Sequence, residues 1–139
     1  MSYDLNVFLN KKNMPKTEDW KSAIIEEGFD VLLDPDFDVD NFSGFLPCPV
    51  SGKESGFEYS SSALSVEEVK DLELPEDIDF SINFCIHSNP LELLSALAAS
   101  SVLAKISKGL LVDPQVGGGD FTHDSAVEWA KLKSSEAQA

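Results

Sequence analysis

Residues 79–109 read DFSINFCIHSNPLELLSALAASSVLAKISKG. The first part alternates: Phe80, Ile82, Phe84 and Ile86 fall on one side, and Ser81, Asn83, Cys85 and His87 on the other. A period of two carried by aromatic and β-branched residues predicts a strand with one buried face. The second part has a different rhythm. Asn89 is placed to cap a helix, Pro90 suits its first turn, Glu92 can close a capping box and Gly109 can end it. The helix is apolar or small nearly all round, so it should lie deep against a sheet. A half-buried strand leading into a deeply buried helix implies a sheet with a helical layer, an α/β or α+β two-layer sandwich.

The neighbouring segments extend that scheme. Tyr3 to Leu9 alternates and predicts a strand, after which KKNMPK turns the chain. Thr17 can cap a helix whose inner face is Trp20, Ala23, Ile24 and Glu27. Gly28 ends it, and Phe29 falls where a Schellman ending would meet Ile24. FDVLLDP (29–35) reads as a short second strand. SGFLPCPVSGKESGFEYSSSAL (43–64) reads as a hairpin or two short strands turning near Ser51-Gly52-Lys53, with Pro47 and Pro49 putting the first arm at an edge or making it irregular. Ser65 and Glu68 are spaced as a capping box for a helical turn stopped by Pro75. LLVDPQ (110–115) predicts a last core strand, VGGGD (116–120) a turn, and Thr122 or Asp124 the start of a short helix carrying Val127 and Trp129. The expected architecture is one domain over 1–139, its tail from about 134 to 139 frayed. Its topology is expected to be a ferredoxin-like split βαβ with an inserted hairpin and a C-terminal helix.

Charge narrows the function. The chain has 139 residues, 42% of them hydrophobic, with 25 acidic against 10 basic residues and a formal net charge of −15. An excess of anions opposes binding to nucleic acid, where phosphates must be neutralised, and to anionic membrane surfaces. It favours rapid, salt-sensitive capture of a basic partner. No apolar run approaches the length of a membrane span, and the opening MSYDLNVFLNKK does not have the layout of a signal peptide. With Cys48 and Cys85 far apart in apolar surroundings, a cytoplasmic protein with reduced thiols is expected.

The acidic residues are clustered. DPDFDVDN (34–41) places Asp34, Asp36, Asp38 and Asp40 at alternate positions. These match the first four oxygen positions of an EF-hand loop. Val39 stands where the hinge glycine belongs, however, and Phe45 where the bidentate glutamate belongs. A second cluster holds Glu67, Glu68, Asp71, Glu73, Glu76, Asp77 and Asp79, relieved only by Lys70. Residues 30–40 and 67–79 together hold twelve of the 25 acidic residues, and one negative surface results if they adjoin. Phe37, Phe42 and Tyr59 are candidate aromatic anchors for a partner.

Catalytic chemistry finds less support. His87 and His123 both sit at element ends, where local capping accounts for them. Cys48, between two prolines, has no basic neighbour to lower its pKa. Two histidines and two distant cysteines leave no zinc spacing, and the 113–120 loop matches no phosphate-binding fingerprint. No catalytic set, metal or cofactor is expected. The alternative is a small enzyme or ligand-binding module with a site near His87 or the 113–120 loop.

Several stretches taken together are SYDLNVF, MPKTEDW, SGFLPC with SGFEYS, LAKISKGLLVDPQ and DSAVEWA. The set resembles small bacterial αβ immunity proteins of contact-dependent growth inhibition systems, encoded beside polymorphic toxins. The resemblance implies a cytosolic, non-enzymatic protein that binds and neutralises the cognate toxin domain of a secreted effector. That domain is expected to be a basic nuclease. Immunity proteins share no universal motif, so the resemblance assigns no contact residues.

Overall fold

The computed structural model describes residues 3–87, 89–114 and 120–138. Strands β1 (Tyr3–Leu9), β2 (Gly44–Pro47), β3 (Gly56–Ala63), β4 (Phe80–Ile86), β5 (Leu110–Val112) and β6 (Asp120–Thr122) form one antiparallel sheet in the order β2-β3-β4-β1-β5-β6. Helices α1 (Thr17–Glu26), α2 (Val66–Asp71), α3 (Pro90–Ser107) and α4 (Ala126–Gln138) complete a two-layer α+β sandwich.

The split βαβ arrangement follows from the pairing. Both β4 and β5 run antiparallel to β1, so the β4-α3-β5 unit straddles β1. In the same way β1 and β3 straddle β4, with α1 in the connection. The inserted hairpin adds β2 at one edge of this four-stranded kernel, and β6 extends the other.

Alternation along the strands sets the core. Leu5, Val7 and Leu9 on β1 and Phe80, Ile82, Phe84 and Ile86 on β4 face the helices and are buried. The alternate residues stay half-buried on the open face, where Asn83 Nδ2 donates to Asn6 Oδ1 at 2.9 Å. Helix α3 packs on β1, β3, β4 and β5 with α1 and α4 beside it, which accounts for its lack of a polar side. Contrary to the expectation that no apolar run reaches the length of a membrane span, α3 is, among the described residues, the one helix long and apolar enough to span a bilayer, and 67% of it is buried within the fold. Its buried hydroxyls return to its own carbonyls, as Ser107 Oγ does to Leu103 O at 2.6 Å. Ser95 Oγ, which is also 3.1 Å from Leu91 O, makes its shorter bond to Cys48 O at 2.7 Å and ties the helix to the hairpin.

Several expectations need correction. Residues 29–35 form no strand, only a single bridge between Val31 and Val50. Leu32 N donates to Pro49 O and Asp34 N to Pro47 O, but the two prolines have no N–H to return. Ser51 N returns a single bond to Asp30 O at 2.9 Å, and at the two prolines the ladder is one-sided. The cap position of α1 is Lys16, without a side-chain bond; Thr17 Oγ1 donates to Pro35 O at 2.7 Å instead. Glu92 accepts from His87 N at 3.3 Å, which leaves Asn89 to cap α3 through Leu91 N. Strand β5 is not the last, because Asp120–Thr122 pairs with it as β6. Helix α4 starts later than expected, at Ala126, and is longer than the short helix expected there, running to Gln138. The stacked rings of Phe121 and Trp129, 4.4 Å apart, join α4 to β6.

The end of α3 also departs from expectation. The left-handed residue is Lys108, at φ 57°, and not Gly109. Glycine is required at 109 for space, since a Cβ there would lie 2.6 Å from Phe8 O and 3.1 Å from Leu9 Cβ. Gly109→Ala should therefore destabilise the protein by about 1–3 kcal/mol, the usual range for overpacking. Lys108→Gly should leave stability unchanged or raise it by up to about 1 kcal/mol, because it relieves a strained backbone. Urea midpoints at constant m-value would separate the two outcomes.

Candidate acidic interface

The segment 34–42 alternates inward and outward without being a strand. Asp36, Asp38 and Asp40 are exposed, while Phe37, Val39 and Phe42 are half-buried. Two of the aspartates shape the loop. Asp34 Oδ1 accepts from Asp36 N at 3.0 Å, and Asp38 Oδ1 accepts from Asp40 N at 2.9 Å, so two Asx turns follow each other. Asn41 Nδ2 donates to Asp38 Oδ2 at 2.9 Å. That side-chain bond, with the Asp40 amide next in weight, holds the Asp38 carboxyl below its ordinary pKa. Among the described residues no three of His, Cys, Asp and Glu are grouped to hold a metal ion.

The inward side of the loop is bolted to the core. Phe37 lies edge-on to Trp20 and Tyr59, with centroids 6.2 and 5.1 Å away, and meets Phe42 at 5.8 Å. Tyr59 is buried, and its hydroxyl donates to Val39 O at 2.8 Å. Burial, reinforced by the charges of Asp40 and Asp38, raises its pKa well above the ordinary tyrosine value. Ser61 Oγ donates to Asp40 O at 3.1 Å. Tyr59 is buried and Phe37 and Phe42 are half-buried against the core, so the three rings form the footing of the loop. Their role was hidden because the partners that bury them, Trp20 and Phe84, are distant in the chain.

The second cluster is likewise exposed at Glu67, Glu68, Asp71, Glu73, Glu76, Asp77 and Asp79. Glu68 closes the capping box with Ser65, as the spacing predicts. The two clusters meet at Lys11. Its ammonium lies 3.3 Å from Asp40 Oδ2, its backbone N–H donates to Asp79 Oδ1 at 2.8 Å, and it covers the ring of Phe80. Asn10 Nδ2 adds a bond to Asp77 O at 2.6 Å. The turn after β1 thus stitches the Asp40 end of one acidic segment to the Asp77–Asp79 end of the other. Lys11 had no signal in the sequence, since its partners are up to 69 residues away.

The residues of the alternative site are placed differently from one another. Cys48 is fully buried, and burial pushes its thiol up to about 12, so it stays protonated at neutral pH. His87 is exposed at the end of β4. Asp113 is buried and accepts a hydrogen bond from the Tyr3 hydroxyl. Residues 115–119 of the 113–120 loop lie outside the described residues. His123 is exposed and lies 3.4 Å from Asp124, near the start of α4.

Comparison with protein-family models, with curated protein sequences and with solved structures finds no match to this chain.

Proposed function

We propose that the protein is a non-enzymatic inhibitor of the immunity type, acting in the cytoplasm by stoichiometric binding to a basic toxin domain. The observation that carries this reading is the join at Lys11 of two exposed carboxylate segments, one of them on a loop fixed by buried rings. A nuclease holds phosphates with a cationic cleft, and closely spaced carboxylates can occupy the same positions. The net charge of −15 steers such a partner towards the surface and disfavours anionic ones. The loop is already ordered, so binding does not bear the entropy of fixing it.

The test is co-expression with the toxin domain of an effector encoded beside this chain. A 1:1 complex that protects cells and weakens steeply with added salt is the expected result. A toxin that kills unimpeded, with no complex recovered, overturns the proposal.

A further inference from the structure

Helix α2 shows more apolar surface than its length warrants. Of its six residues only Val69 is buried; Val66 is 72% exposed, and Leu72, just past the end, 53%. Between this helix and the returning segment lies a groove of about 340 Å³ with apolar walls from Leu64, Val66, Val69, Leu74 and Ile78. Glu76 and Asp79 complete the lining together with Lys70. The walls are held from several directions. The capping box fixes the start of α2, and Leu74 N donates to Val69 O at 3.0 Å across the left-handed Glu73. Leu64 N donates to Asp79 O at 2.8 Å, and Asp79 N to Leu9 O at 3.2 Å.

Through Asp79 the groove is continuous with the Lys11 junction, and so with Asp40. An apolar cleft in a field of carboxylates selects its occupant by charge. A second copy of this chain, itself at −15, is repelled, as are anionic lipid and nucleic acid. We infer that the groove under α2 takes a single apolar side chain of leucine or methionine type, carried on a lysine- or arginine-rich segment of the partner protein. This rests on the basic partner proposed above and adds where its apolar anchor sits. Carboxylates steer and orient the segment; the buried side chain then slows its release.

Two fluorescent lysine-rich peptides of equal length and charge, differing only in a central leucine or serine, test the assignment against the intact protein. The leucine peptide should bind about tenfold more tightly at low salt, as expected for burying one aliphatic side chain. It should also shift the amide resonances of Leu64, Val69 and Ile78. Val66→Gln replaces an exposed apolar wall and leaves the Ser65–Glu68 capping box intact, so it should cut the leucine advantage to about threefold or less. Equal affinities for the two peptides overturn the groove while leaving the acidic surface standing. If neither peptide binds at low salt, where attraction is strongest, the groove and the basic partner fall together.

Discussion

Replacing Trp20 with alanine should remove about 3–5 kcal/mol of folding stability, the range for deleting a large aromatic side chain from a packed core. Trp20 is fully buried, and its indole N–H donates to Ala99 O at 3.0 Å. It stands edge-on to Phe84 at 6.1 Å and to Phe37 at 6.2 Å. It therefore links α1, α3, the sheet and the acidic loop at one point. Domains of this kind are stable by only about 5–15 kcal/mol, so the loss is a large share of the total. Trp20→Phe should cost less, because it keeps a ring in the site and removes mainly the indole hydrogen bond. The two variants should also differ at the surface. In Trp20→Ala the ring of Phe37 loses a neighbour, and amide exchange over residues 36–42 should quicken beyond the change in global stability. Urea denaturation and hydrogen exchange give the two readouts. A shift below about 1 kcal/mol for alanine would mean that the cluster does not hold the loop.

Much of the fold was legible because its signals are local. The alternation of residues 80–86, the apolar length of 90–107, the Ser65–Glu68 box and the Ser51-Gly52 turn each depend on near neighbours. The turn bears this out: Ser51 and Gly52 both have positive φ, as a type I′ hairpin requires. The failures share a cause as well. β6 has three residues, too few for a period to register, and it exists because β5 offers an open edge. The bridge at Val31 is limited by prolines in another segment. In DPDFDVDN the period of two was real, but it recorded a loop alternating between core and solvent and not a pleated strand. The orientation of Phe37 depends on Trp20 and Tyr59, and the join of the two acidic segments on Lys11. Contacts of that range leave no mark on the residues flanking them.

Changing Asp36, Asp38 and Asp40 together to asparagine should slow association with a cationic partner by about tenfold or more at low salt, and flatten the dependence of the rate on salt. Folding should scarcely change. An asparagine at 38 keeps an oxygen to accept from Asp40 N, so the Asx turn survives. The pair lost between Lys11 and Asp40 is exposed, and such pairs contribute about 0–1 kcal/mol. Removing three neighbouring like charges works in the opposite direction. The effect of pH has a definite sign. Asp38 titrates below the ordinary carboxylate range, so its charge is present above that range and is lost only as pH falls through the lowered value. Steering should accordingly decline on acidification, with Asp38 among the last contributors to fade. The control is an equal change of charge at the far edge of the sheet, with Asp120 and Asp124 changed to asparagine and Glu128 to glutamine, all exposed near β6 and α4. Stopped-flow association at several salt concentrations compares the two triples. If the far-edge variant slows capture as much as the loop variant, the rate follows net charge alone, and the fixed geometry of residues 34–41 has no special part in recognition.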